Sequence, residues 1–182
     1  MLITIADDIA RFFCDYAETG AKFAGVAVII YWCVVLVRSV WLRKTELRVV
    51  VVGVRSMFLF ALVMYVYIVI AITVLSRSES QNRYAYFKLF RTFKNTFLSK
   101  KQICENMLLL MPYAVLLFGI SSKMRNGWLI FGVGLISSLA IEITQWMTCT
   151  GFFEIDDIWT NVLGMMLGYL GCVMVRRVYR LL

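Results

Sequence analysis

Residues Ser137–Gly171 read SSLAIEITQWMTCTGFFEIDDIWTNVLGMMLGYLG, and the fold turns on how this stretch is read. An apolar segment carries Glu142 and Gln145 and ends in a short turn. A second apolar segment opens with Asp156 and Asp157 and continues through Asn161, Gly164, Gly168 and Gly171. Asp157, Asn161, Gly164, Gly168 and Gly171 are spaced four, three, four, three, which places them on one stripe of a helix. Gly134, Ser138, Glu142 and Gln145, spaced four, four, three, share a face of the preceding one. The stretch is therefore an antiparallel helical hairpin with acid groups at its junction. Glu142 lies five residues before Met147 and Asn161 four after Asp157. At about 1.5 Å per residue both sit roughly 6–8 Å below the rim, at matching depth.

Outward from the hairpin, the composition requires a membrane. The 182 residues are 62% hydrophobic and only 16% charged, too little charge to cover a soluble surface. Several runs approach the roughly 20 apolar residues that cross a bilayer. The sequence predicts an all-α integral membrane protein, a bundle of about five transmembrane helices with an N-terminal interfacial helix. Residues 1–22 form that helix, since Ile5, Ile9, Phe12, Phe13 and Tyr16 recur at helical spacing. They lack the pattern of a removable signal peptide. Residues 23–75 hold two spans, Phe23–Leu42 and Met57–Leu75. Residues 76–102 form a polar loop in which Phe87, Phe90, Phe93 and Phe97 recur every three or four positions, as in a helix lying on headgroups. Residues 103–175 form a three-helix core of Ile103–Ile120, Trp128–Met147 and Ile158–Val175, and 176–182 a basic tail. Pro112, the only proline, falls inside the third span, where it needs a neighbouring helix to satisfy the carbonyl it frees.

The net charge of +8 lies in short segments between apolar runs, so topology and lipid headgroups explain it and nucleic acid does not. The connection 43–55, the Lys123/Arg125 turn and the C-terminal arginines share one side, which places the amino terminus outside and the carboxyl terminus in the cytoplasm. The segment 77–101, with seven basic residues, would then face out, against that trend. The absence of histidine excludes histidine general bases, Ser/Cys–His relays and histidine-bound metal. None of the five cysteines shows CxxC spacing; Cys104 and Cys149 near one interface are a disulfide or, more simply, two free thiols. No cofactor or metal site is expected.

An outward-facing pocket of Asn106, Glu142, Gln145, Asp156, Asp157 and Asn161 follows from these placements. Glu142 and Asp157 are the candidates for acid–base chemistry. Pro112, Gly164 and Gly168 are assigned to helix packing, with Gly164-x-x-x-Gly168 letting another helix come close. Structural duties compete with these roles: Asp156 or Asp157 would cap the fifth helix, and Glu142, Gln145 and Asn161 would bridge helices. Bridging needs only a neutral amide, which favours a functional role for Glu142.

At these residues the chain resembles the VanZ-like family of small bacterial membrane proteins. The signature stands as Ser138-Leu139-Ala140-Ile141-Glu142-Ile143-Thr144-Gln145, then Asp156-Asp157 through Asn161 and Gly164 to Gly168-Tyr169, with Asn106 to Pro112 upstream and Thr73, Leu75 and Arg77 as a looser match. Two positions depart from it: Ala114 stands where the family often has glycine, and Thr150 where its loop often has arginine. The resemblance implies a cell-envelope role, associated in the family with resistance to teicoplanin-type glycopeptides. Expected partners are membrane lipids, an anionic lipid or a cell-wall precursor among them. Three functions stay open: a non-enzymatic protein binding a lipid or amphiphile at the outer leaflet, an intramembrane enzyme working on a lipid-linked substrate through Glu142, Asp156 or Asp157, and a small transporter.

Overall fold

A computed structural model describes residues 2–41, 49–77, 84–90 and 96–181. Five helices account for nearly all of it: α1 (Leu2–Trp41), α2 (Val49–Ile70), α3 (Phe97–Ile120), α4 (Gly127–Met147) and α5 (Ile155–Leu181). All five contain a stretch long and apolar enough to cross a bilayer. Their outward faces stay apolar, with Ile29, Ile136 and Met174 each more than 60% exposed, as a lipid-facing surface requires. The protein is an all-α membrane bundle.

The sequence separates residues 1–22 from the first span, but α1 runs through Lys22 without a break, and its membrane-length stretch is Tyr16–Val37. Contact with α2 explains the continuity. Tyr67 of α2 meets the rings of Tyr16 and Phe23 at centroid distances of 6.4 and 5.5 Å, and buried Gly20 lies between them against the same ring.

The most extensive interface joins α3 and α5, and glycines make it possible. A Cβ at Gly164 would fall inside the Met107 backbone, and one at Gly168 would strike the Met111 carbonyl. The helix that comes close to Gly164 and Gly168 is α3, and α4 meets α5 elsewhere, where Gly134 leaves room for the Met165 side chain. Leu110, Ala114 and Leu117 of α3, Ile130 of α4 and Met165 of α5 form the buried core. Pro112 sits within α3, and in the turn before it the Leu109 carbonyl accepts a hydrogen bond from Tyr65 Oη of α2 at 2.8 Å. This bond lies one residue past the Leu108 carbonyl, the one that the proline leaves without its helical donor.

The polar loop is not the expected amphipathic helix where it is described. Ala85–Tyr86 (β1) is extended and pairs in parallel with Phe153–Glu154 (β2) in the α4–α5 turn. Phe90 takes a positive φ of 62°, and its N–H donates to Asp156 Oδ1 at 2.7 Å. Phe97 opens α3, Thr96 accepting the Ser99 N–H as its cap, while Phe93 lies outside the described residues. Backbone partners offered by the α4–α5 turn and by Asp156 have overridden the helical spacing of the phenylalanines. At this end Tyr84, Tyr86 and Phe152 pack ring to ring at 5.8–6.2 Å.

The opposite end is basic. Asn126 caps α4 through the Trp128 N–H at 2.9 Å. Tyr169, from the end of the glycine stripe, donates to the Arg125 carbonyl at 3.0 Å, and Arg125 and Arg180 both lie within electrostatic reach of Arg176.

Candidate functional site

Four helix ends surround a cavity of about 520 Å³ at the end of the bundle where β1 and β2 pair. It lies between the last turns of α2 and α4 and the first turns of α3 and α5. Asn106, Glu142, Gln145, Asp157 and Asn161 all line it, although they come from three helices and up to 55 positions apart in the chain. Asp156 does not line it. Buried to 3% exposure, Asp156 faces the other way and fastens the Phe90 segment over the end of the bundle. Both aspartates lie in the first turn of α5, where negative charge complements the helix dipole.

Each lining side chain has a local reason for its position. Glu142, 2% exposed, accepts the Glu154 N–H through Oε2 at 3.0 Å, so β2 holds the carboxylate. Gln145, 4% exposed, donates through Nε2 to the Thr73 carbonyl at 2.9 Å. That carbonyl is within reach because α2 ends in a widened π-helical turn, Ala71–Leu75, in which the Ser76 N–H skips to the Ala71 carbonyl at 2.8 Å. Asp157 accepts from Gln102 Nε2 at 3.1 and 3.3 Å. Asn161 donates through Nδ2 to Ser138 Oγ at 2.9 Å, the contact that matches α4 and α5 in depth.

Among the described residues two buried side-chain atoms have no hydrogen-bond partner, Asn161 Oδ1 and Asn106 Nδ2. Asn106 lies beside the Asp157 carboxyl, but its amide nitrogen does not reach it in hydrogen-bonding geometry. A buried polar group left unmade costs about 1–3 kcal/mol, so these two atoms mark a place where a partner belongs.

Arg77 lines the same cavity. Its guanidinium acts electrostatically on both Glu142 and Asp157, and its Nη1 lies 3.3 Å from where a Cβ on Gly151 would sit. The loop lacks an arginine at Thr150, yet a cation reaches the loop from the end of α2. Spacing within the hairpin could not show this; the loose Thr73–Arg77 match was the one signal. Gln102 and Tyr65 also line the cavity, and no sequence motif marks either.

A second, apolar cavity of about 330 Å³ runs between α2, α3 and α4, with Val66, Ile70, Leu110 and Ala140 in its walls. Tyr65, Val69, Thr73 and Ile141 line both cavities. Among the described residues no group of three or more acid or cysteine side chains is arranged to hold a metal ion. Cys33, Cys104, Cys149 and Cys172 are not disulfide-bonded.

No curated protein and no solved structure matches the chain. A family model does, described as VanZ/LLP1, over residues 56–176. The match runs from α2 to the last turns of α5 and takes in every residue that lines the cavity. By that match over most of its length, the chain belongs to the VanZ/LLP1 family.

Proposed function

We propose that this protein binds a membrane amphiphile, with the polar headgroup in the cavity of Asn106, Glu142, Asp157 and Asn161 and the acyl chain in the apolar cavity beside it. One observation carries the reading: the two cavities share the wall of Tyr65, Val69, Thr73 and Ile141, so a polar and an apolar compartment adjoin. Small-molecule sites have this character, mostly apolar with a few convergent polar groups.

The cavity end faces the outer leaflet and the carboxyl terminus the cytoplasm. Supporting this, the Ser122–Arg125 turn and the C-terminal arginines gather at the other end, on the side basic residues favour. Sequestering or presenting an envelope lipid there alters sensitivity to teicoplanin-type glycopeptides. An intramembrane enzyme is the second reading, favoured by Glu142 and Asp157 sharing one cavity and interacting electrostatically. Turnover of a lipid-linked substrate that is lost in Glu142→Gln would support it.

Native mass spectrometry of the purified protein tests the binding. Ala140 lines the apolar cavity and not the polar one, so Ala140→Phe fills the chain site and leaves the polar residues alone. Loss of a co-purifying lipid in folded Ala140→Phe is the expected result. Unchanged lipid retention refutes the proposal.

A further inference from the structure

Resting on the reading that an amphiphile fills the two cavities, we propose that the polar cavity selects a neutral glycosyl headgroup, recognised through its hydroxyls. The two buried atoms without partners point to this chemistry. Asn161, 1% exposed, lacks a donor for Oδ1, and Asn106, on the helix packed against it, lacks an acceptor for Nδ2. A hydroxyl donates one hydrogen bond and accepts others, so it serves both. An ammonium serves only Asn161, a phosphate only Asn106, and a trimethylammonium group neither.

The remaining wall agrees. Gln102 and Gln145 have already committed their amide nitrogens, to Asp157 and to the Thr73 carbonyl. Their amide oxygens and the carboxyl oxygens of Glu142 and Asp157 remain as acceptors, which sugar hydroxyls fill as donors, and the second N–H of Gln145 can donate to one. Formal charge separates the alternatives further. Arg77 faces Glu142, Asp157 and Glu105 in the lining, and Glu154 acts on both Glu142 and Asp157 from β2. Glu105 is paired with Lys101 at 3.5 Å. Arg77 and the acid groups thus answer one another across the wall, so a headgroup of either charge disturbs an interaction already made. A neutral group with many hydroxyls meets neither penalty.

The test uses the full chain purified in lauryldimethylamine oxide, which carries no sugar to compete. Monoglucosyl diacylglycerol, phosphatidylmethanol, phosphatidylethanolamine and phosphatidylcholine with matched acyl chains are offered at equal concentration, and retention is read by native mass spectrometry. The glucosyl lipid should be retained about tenfold over each of the others, as one or two additional hydrogen bonds supply. Asn161→Leu and Asn106→Ala, each shown to be folded by an intact thermal transition, should reduce that preference to within about twofold. A preference for phosphatidylethanolamine or phosphatidylmethanol, or no preference, overturns the glycosyl assignment. If that retention is still abolished by Ala140→Phe, the amphiphile reading stands without it. Competition by methyl glucoside at the same concentration as the glucosyl lipid would make the ligand a soluble sugar and overturn the lipid form. Retention of no lipid at all overturns both.

Discussion

Replacing Gly164 with alanine, alongside Gly171→Ala, tests the packing of α5 with a control on the same stripe. Alanine is favoured over glycine in a helix by about 1 kcal/mol at either position. At Gly171 nothing lies within 4 Å of the new methyl, so that gain stands alone, and the variant should be as stable as the natural protein or slightly more so. At Gly164 the methyl would occupy the backbone of Met107. A neighbouring helix backbone cannot rotate aside as a side chain would, so the upper part of the roughly 1–3 kcal/mol range for overpacking applies. Set against the propensity gain, the net cost is about 2 kcal/mol. That corresponds to about a 30-fold shift in the folding equilibrium and a Tm lower by about 4–8 °C for a chain of this size. Thermal unfolding followed by tryptophan fluorescence in one detergent, with both variants side by side, measures it. A Gly164→Ala protein as stable as the natural one, or a Gly171→Ala protein that falls equally, would refute the argument that α3 and α5 touch through backbone.

Other substitutions separate the roles of the polar residues. Asp156→Ala should release the Phe90 segment at a cost of about 1.5–3 kcal/mol, seen as faster proteolysis at Lys88, whereas Asp156→Asn keeps an acceptor for the Phe90 N–H and should release it less. Glu142→Gln retains an oxygen for the Glu154 N–H, so the protein should fold normally yet lose ligand binding if the carboxylate is used; unchanged binding would reduce Glu142 to a bridge. Ser138→Ala leaves Asn161 Nδ2 without its partner and should cost about 0.6–2 kcal/mol in thermal stability, with no change if that bond is idle. In a background without the native thiols, Thr150→Cys should react with an impermeant reagent on whole cells and Lys123→Cys should not; the opposite pattern would invert the topology.

How much was legible in the sequence follows from the range of each interaction. The membrane location, the five spans and the two polar faces are local properties, set by apolar run length and by the 3.6-residue period, and they read directly from the chain. That Glu142, Gln145, Asp157 and Asn161 lie near the junction of one hairpin also reads from the chain, whereas the structure pairs Asn161 with Ser138, one turn from Glu142. Periodicity names a face without naming its neighbour. Only the tertiary structure decided that Gly164 and Gly168 meet α3, that Gly171 on the same stripe meets nothing, and that Asp156 and Asp157, adjacent in sequence, point to different tasks. The bonds that settle these points, Phe90 to Asp156 and Gln145 to Thr73, cross 66 and 72 positions. The first replaces the helical spacing of Phe87 and Phe90, and the second ties α4 to the end of α2 beside the cavity that Arg77 joins, because buried backbone and carboxylate groups are not left unpaired.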